Sequence, residues 1–175
     1  MKHCFRIATL IILFGHVALA TAAAPAALDR VKVISAASDI IKQAHFCTLV
    51  TIGADGQPNA RIVTPAPPDE NLEIWISTSR KLRKIAELRK DRRATLLYFD
   101  PVNLAYVTLV GDTTLLSDAA AKEKHWQPEW AAFYPREAKN PDLIMIKFVP
   151  RRVEIVSRAH KLLEDPWGLA VLELK

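Results

Sequence analysis

The chain has 175 residues, of which 50% are hydrophobic and 25% are charged, and its formal net charge is +5 at pH 7. This length leaves room for one ordinary domain with its own core, and the composition is typical of a globular protein. The small charge excess argues against a nucleic-acid platform and suits small anionic ligands instead.

The first 22 residues have the pattern of a secretory signal peptide. A basic start with Lys2 and Arg6 precedes the apolar run Ile7–Ala20, and the small residues Ala20-Thr21-Ala22 suit cleavage. An uncleaved membrane anchor is the alternative, but this run is shorter than the roughly 20 residues that a spanning helix needs. We therefore expect residues 23–175 to form an exported, periplasmic chain, whose net charge falls to +3 without Lys2 and Arg6.

Hydrophobic periodicity predicts a β-rich domain that begins with a helix. The predicted elements are a helix at Leu28–Ala44, strands at Phe46–Ile52, Pro58–Thr64 and Leu72–Ser77, a helix at Arg80–Lys90, strands at Ala94–Phe99 and Leu104–Leu116, a helix at Ala119–Trp126, and strands at Leu143–Val149 and Val153–Val156. Gly111 predicts a bulge, and Pro150 is expected to separate the last two strands because proline cannot donate to a ladder. A short helix is expected from Trp167 onward.

Six or seven strands joined mostly by short turns predict a mainly β (α+β) fold, a small antiparallel barrel with peripheral helices. A sandwich has the same strand spacing and stays open as an alternative. The aromatic segment with Trp126, Trp130, Phe133 and Tyr134 is interpreted most simply as a packing lid.

The stretch Leu72–Phe99 carries the strongest functional signal. It passes from an alternating strand through Ser77-Thr78-Ser79 into a short helix rich in arginine and lysine. Hydroxyls at a strand end, backbone N–H groups at a helix start and cationic side chains together favour an anion. We therefore expect a phosphate-bearing ligand to be held at this turn.

Other candidate chemistry is sparse. Cys47 is the one cysteine left after signal cleavage, and its apolar strand pattern predicts a buried, unreactive thiol. His45, His125 and His160 have no spacing that suggests a metal site, and no residue pattern indicates a nucleophile triad. No catalytic residue is assigned.

A series of segments in this order resembles a known family. The segments are CTLVTIGADGQPNARIV, LEIWISTSRKLRKIAELRKDRRATLLYFD, LAYVTLVGDTTLL and PDLIMIKFVPRRVEIV. Together they resemble the pyridoxamine 5'-phosphate oxidase-like superfamily of FMN-binding split barrels, in particular its general stress protein 26-like branch. The resemblance covers about residues 31–157 and implies an FMN-binding split-barrel domain with peripheral helices.

The resemblance also implies where a flavin would bind. It implies a homodimer with two FMN sites at the subunit interface. The implied cofactor-binding residues are Arg61, Ile62, Val63, Thr64, Ser77, Thr78, Arg83, Lys84 and Tyr106, the last reaching the cofactor of the other subunit. Ser77 and Thr78 would bond the phosphate or ribityl chain, Arg83 and Lys84 would hold the phosphate, and Trp126 would border the pocket.

Two functions are compatible with these patterns. The first is an exported FMN-dependent oxidoreductase with a role in stress. It would not be a true pyridoxamine phosphate oxidase, because Arg151–Lys175 lacks the substrate-binding segment rich in Trp, Arg and His. The second is a non-enzymatic split-barrel module that binds or sequesters flavin, haem or a similar planar anion, with His125 as the candidate axial ligand.

Overall fold

The computed structural model describes residues 28–163 and 168–174. The elements in chain order are α1 (Arg30–Ala44), β1 (Cys47–Ile52), β2 (Pro58–Val63), β3 (Ile74–Ser79), α2 (Arg83–Lys90), β4 (Arg93–Asp100), β5 (Ala105–Leu116), α3 (Ala119–Lys124), two 3-10 turns (Pro128–Ala132 and Glu137–Lys139), β6 (Leu143–Val156) and β7 (Ala170–Glu173). The predicted signal peptide and Trp167 lie outside the described residues.

Within these ranges the seven strands form one antiparallel sheet in the order β2-β1-β4-β5-β6-β3, and β7 pairs with β6. The two ends of this order approach each other, because an isolated bridge joins Pro65, just after β2, to Ile76 of β3. The Ala66 N–H also donates to the Trp75 carbonyl over 2.7 Å. The sheet therefore curls into an open, split barrel, which confirms the predicted fold class.

The barrel core forms because the strands alternate buried and half-buried positions with a period of two residues. Leu49, Leu96 and Leu109 point inward from three adjacent strands and are fully buried. Helix α1 covers this core with Val33 and Ile40, and the Asp29 carboxylate caps its start by accepting from the Val31 N–H over 2.9 Å.

The predicted break at Pro150 is wrong, because β6 continues through it as one strand of 14 residues. Gly111 of β5 pairs with Pro150, while its neighbour Val110 pairs with Arg152, so Arg151 is the extra residue of a bulge. The predicted bulge at Gly111 is thus confirmed. It accommodates the proline because the ladder is already interrupted at that point.

The predicted helix in the tail is also wrong over the part of the tail that the structure describes. Residues Ala170–Glu173 form β7, which pairs antiparallel with β6 from Arg152 to Ile155. The exposed edge of a long strand offers unpaired backbone groups, and β7 satisfies them.

No helix in the described ranges is long and apolar enough to cross a membrane.

A second, smaller hydrophobic cluster lies outside the barrel. Trp130, Ala66 and Met145 are buried together, and partly buried Trp75, Leu116, Trp126 and Tyr134 pack around them. The two tryptophans of the segment, Trp126 and Trp130, meet edge to face with ring centroids 5.9 Å apart. This cluster fixes the segment 126–134 beside the seam between β2 and β3, which confirms the packing role expected for it.

Candidate functional site

A pocket of about 170 Å³ opens at the seam between β2 and β3. Its lining residues are Ile62, Val63, Thr64, Ser77, Thr78, Leu82, Lys84, Trp130, Phe133 and Tyr134. Six of the nine residues that the family resemblance implies for cofactor binding are among them. They come from the end of β2, the end of β3 and the start of α2, which the curling of the sheet brings together.

Lys84 is the cation of this pocket. Its ammonium donates to the Thr78 hydroxyl over 3.0 Å and forms no ion pair with any carboxylate that the structure describes. Burial, and then the nearby positive charge of Arg61, lower the Lys84 pKa from its ordinary value, while Glu87 acts in the opposite direction. A half-buried ammonium with only a hydroxyl for a partner is well suited to bind an anion.

The start of α2 adds to this positive environment. The helix begins at Arg83 rather than at the predicted Arg80, because the Leu82 N–H closes a turn onto the Ser79 carbonyl. The N-cap is therefore Leu82, not a hydroxyl residue, and no side chain caps the helix. The first backbone N–H groups of an uncapped helix are available to an anion.

Arg61 and Arg83 lie close to this pocket but turn toward a buried carboxylate. Arg61 Nη2 donates to Glu87 Oε2 over 2.8 Å, and Arg83 Nε lies 3.0 Å from Glu87 Oε1. Thr51 and Asn59 also donate to Glu87, over 2.5 and 2.9 Å. The role of Arg61 and Arg83 in holding a ligand remains a prediction. Glu87 was not predicted at the site, because its position in the helix sequence is typical of an exposed surface residue.

Glu87 is only 6% exposed, so its charge depends on these partners. Burial raises its pKa, but the hydrogen bonds from Thr51 and Arg61 and the charges of Arg61 and Arg83 outweigh this, and the pKa lies below the ordinary 4.5. Glu87 is therefore an anion at neutral pH. Its negative charge compensates the positive charges of Arg61 and Arg83, whereas the Lys84 ammonium faces the pocket.

The outer wall of the pocket comes from Trp130, Phe133 and Tyr134 of the aromatic segment, whereas the family resemblance implied only Trp126 of that segment at the site. Trp130 donates its indole N–H to the Thr64 carbonyl over 3.1 Å and is almost completely buried. Tyr134 lines the pocket together with Ser77 and Thr78. Burial raises the Tyr134 pKa and the nearby Ser77 and Thr78 side chains lower it by less, so the phenol stays protonated at neutral pH.

Tyr106 lies elsewhere in this chain. It pairs with Phe99 of β4 and Val156 of β6 on the outer face of the sheet, away from the pocket. Phe99 is 52% exposed and Ile62, which also lines the pocket, is 67% exposed. The pocket therefore opens onto an outer face that carries exposed apolar side chains. The predicted contact of Tyr106 with the cofactor of another subunit stays a prediction.

Trp126 and His125 do not line the pocket. Trp126 faces a separate groove with Arg136 and Glu137. The His125 ring stacks on Trp75 with ring centroids 3.6 Å apart, and burial, followed by the charges of Lys124 and Lys147, lowers its pKa. Across 28–163 and 168–174, no three His, Cys, Asp or Glu side chains converge as a metal site would require.

The arrangement as a whole is suited to binding rather than to acid–base chemistry. Two or three hydroxyls, an ammonium and a helix start surround a small volume, and this is the donor set that a phosphate monoester needs. Ligand pockets for whole cofactors are usually about 300–1,000 Å³. The pocket is therefore sized for the phosphate end of a larger ligand, whose remainder would lie toward the exposed outer face.

The fold and this pocket define a class, the split barrels with a pocket that carries a cationic side chain at the seam between two strands. The chain belongs to the "Pyridoxamine 5'-phosphate oxidase like" family, whose model matches residues 32–164. No curated protein matches the chain.

Solved structures support the same fold. A protein related to general stress protein 26 from Clostridium acetobutylicum is 21% identical, with a TM-score of 0.71 over 82% of this chain and 95% of the other. A pyridoxamine 5'-phosphate oxidase-related, FMN-binding protein from Nostoc punctiforme is 14% identical, with a TM-score of 0.56 over 81% and 95%. A heme-binding protein from Mycobacterium smegmatis is 20% identical, with a TM-score of 0.62 over 83% of this chain and 60% of that one.

Proposed function

We propose that this protein is an FMN-binding flavoprotein that works as an exported, periplasmic oxidoreductase. The observation that carries the proposal is the Lys84 ammonium, 3.0 Å from the Thr78 hydroxyl in a pocket also lined by Ser77. Family membership makes FMN the phosphate-bearing ligand to test first. The relative named for general stress protein 26 motivates a role in stress, and the predicted signal peptide motivates export.

Different residues of this chain would bind different parts of the cofactor. Lys84, the hydroxyls of Ser77 and Thr78 and the start of α2 would hold the phosphate, and the backbone from Ile62 to Thr64 would line the flavin. When bound, the flavin supplies the electron-transfer chemistry, while the protein supplies binding and orientation. True pyridoxamine phosphate oxidase activity is not part of the proposal, because the substrate-binding segment of those enzymes has no counterpart in Arg151–Lys175.

The proposal includes a homodimer with the cofactor at the subunit interface. Exposed Ile62, Leu97 and Phe99 give the outer face of the sheet an apolar character that a second subunit would cover. Ile62 and Leu97 are in register with the same residue, Thr48, so they form one continuous surface. Light scattering tests this point directly, since the variant Leu97→Glu should convert a dimer to a monomer and weaken FMN binding at the same time.

Binding of FMN, followed by quenching of its fluorescence, tests the central assignment. Lys84→Ala should weaken binding by about 1.5–3 kcal/mol, the usual contribution of a hydrogen bond to a charged group. Lys81→Ala is the matched control, because Lys81 is a nearby lysine but is 72% exposed and already paired with Asp142 over 2.7 Å. A wild-type protein that stays colourless and does not quench FMN would refute the flavoprotein assignment.

Turnover separates an enzyme from a binding module. Reduction of bound FMN by NAD(P)H faster than reduction of free FMN would support the oxidoreductase. Bound flavin that is reduced no faster would favour sequestration.

A non-enzymatic haem-binding module is the second candidate, motivated by the heme-binding structural neighbour. The lowered pKa of His125 favours the neutral imidazole, which is the form that binds metals. Haem titration should then give a Soret band that disappears in His125→Ala. A band unchanged by that substitution would remove His125 as the ligand.

A further inference from the structure

The phosphate pocket has a donor that neither the family resemblance nor the strand pattern assigns. Ser77 and Thr78 come from the end of β3, while Tyr134 comes from the aromatic segment, more than fifty residues later in the chain. All three line one pocket with Lys84. The pocket measures only about 170 Å³, so the three hydroxyl-bearing side chains border one small volume.

Tyr134 is held in this position by its surroundings. Its backbone N–H donates to the Trp130 carbonyl over 3.2 Å, and its carbonyl accepts from the Glu137 N–H over 3.0 Å. Its ring packs on the buried cluster around Trp130, whose indole is bonded to Thr64. A phenol fixed by its backbone, its ring and its neighbours loses little conformational entropy when it binds a ligand.

We propose that Tyr134 is a third hydroxyl ligand of the phosphate group and makes the site discriminate phosphorylated from unphosphorylated flavin. This inference rests on the proposed function. Without a ligand, the Thr78 hydroxyl accepts from the Lys84 ammonium over 3.0 Å. A terminal phosphate offers several acceptor oxygens and would take the three O–H donors together with the Lys84 ammonium. The aromatic segment is then a ligand-binding wall, in addition to a packing lid.

The test uses the full mature chain and the substitution Tyr134→Phe, which keeps the ring and removes only the hydroxyl. Dissociation constants are measured for FMN and for riboflavin, which has the same ring system without phosphate. Loss of a hydrogen bond to a charged group should weaken FMN binding about tenfold to a hundredfold. Riboflavin binding should change less than about twofold, so the preference for FMN over riboflavin should fall by at least about fivefold.

Tyr98→Phe is the matched control. The Tyr98 hydroxyl is buried without a hydrogen-bond partner, so its removal tests a Tyr-to-Phe change at a site remote from the pocket. It should leave both dissociation constants unchanged. Thermal melting of each variant establishes that it is folded under the conditions of the binding assay.

The possible results separate this inference from the proposed function. FMN binding to Tyr134→Phe as tight as to the wild type would overturn the inference, as would an equal loss of FMN and riboflavin. If the wild type does not bind FMN, inorganic phosphate is the remaining probe. Thermal stabilisation by phosphate in the wild type that is reduced in Tyr134→Phe would support the inference while the flavin proposal fails. Equal stabilisation of the wild type and Tyr134→Phe by phosphate, or no stabilisation of either, would overturn the inference about Tyr134.

Discussion

Arg61 Nη2 donates to Glu87 Oε2 across 2.8 Å and thereby ties β2 to α2 at the open end of the barrel. The second guanidinium nitrogen, Nη1, donates to the Thr51 hydroxyl, which itself donates to Glu87. These bonds close a network in which each polar atom of a buried carboxylate has a partner. Such networks stabilise a unique arrangement when complete and are costly when one member is removed.

Removal of the Glu87 charge should destabilise the fold. Glu87→Gln leaves the half-buried Arg61 without its anion. It also places an amide N–H₂ donor next to the groups that donate to the carboxylate in the wild type. We expect the free energy of unfolding to fall by about 3 kcal/mol, as for other broken buried ion pairs. Urea denaturation measures this change. Glu70→Gln is the control, because Glu70 is exposed and should give a change within about 0.5 kcal/mol. Equal effects of the two substitutions would contradict the role given to Glu87.

The same carboxylate should contribute to acid lability. Because the folded-state pKa of Glu87 is lowered from 4.5, its stabilisation is fully present above the unfolded-state pKa and is lost as pH falls through the folded-state value. The difference in unfolding free energy between wild type and Glu87→Gln should therefore shrink below about pH 4.5. A difference that stays constant down to pH 3 would argue against an ionised Glu87.

The affinity for FMN should depend on pH in two steps. It should rise through about pH 6, where a phosphate monoester acquires its second charge. It should fall again in the alkaline range as Lys84 loses its proton, at a pH below the 10.5 of an ordinary lysine because its pKa is lowered. Riboflavin has the same ionisable ring system as FMN but no phosphate. The pH dependence of riboflavin affinity is therefore the control. In Lys84→Arg the alkaline step specific to FMN should disappear.

Cys47 should be unreactive in the folded protein. Burial raises its pKa to about 12, and the neighbouring Tyr98 side chain lowers it by less, so almost no thiolate forms at neutral pH. In a Cys4→Ser chain, iodoacetamide should label Cys47 only after addition of denaturant, as mass spectrometry would detect. Rapid labelling in the native state would disprove the buried assignment.

Gly111 should not tolerate a side chain. A Cβ atom there would meet the Val149 carbonyl oxygen and come within 2.8 Å of Phe148 Cζ and 2.9 Å of Pro150 Cα. Gly111→Ala should therefore destabilise the fold by about 1–3 kcal/mol, the usual effect of overpacking. Gly56→Ala tests a different cause, because its Cβ would meet nothing within 4 Å and only its positive φ of 81° is strained. Thermal melting of both variants should show a lower midpoint for Gly111→Ala than for Gly56→Ala.

Much of the site follows from short-range sequence patterns. The period of two residues in β3 places Ser77 at the strand end, on the face opposite Thr78, and the basic helix that follows brings Lys84 back to it. These relations depend on residues within a few positions of one another. The family resemblance added the split-barrel fold, and the curling of that sheet brings β2 and β3 to one pocket.

The sequence by itself determined the first five strands, the bulge at Gly111 and the turn that joins the hydroxyl residues of β3 to the basic helix, because each of these is set by neighbours in the chain. Only the tertiary structure decided where Pro150 and the tail belong, since their backbone groups are satisfied by other strands. It also decided that Arg61 faces Glu87 and that Tyr134 lines one pocket with Ser77 and Thr78. Those contacts join residues 26 or more positions apart, and local periodicity carries no information about such pairs.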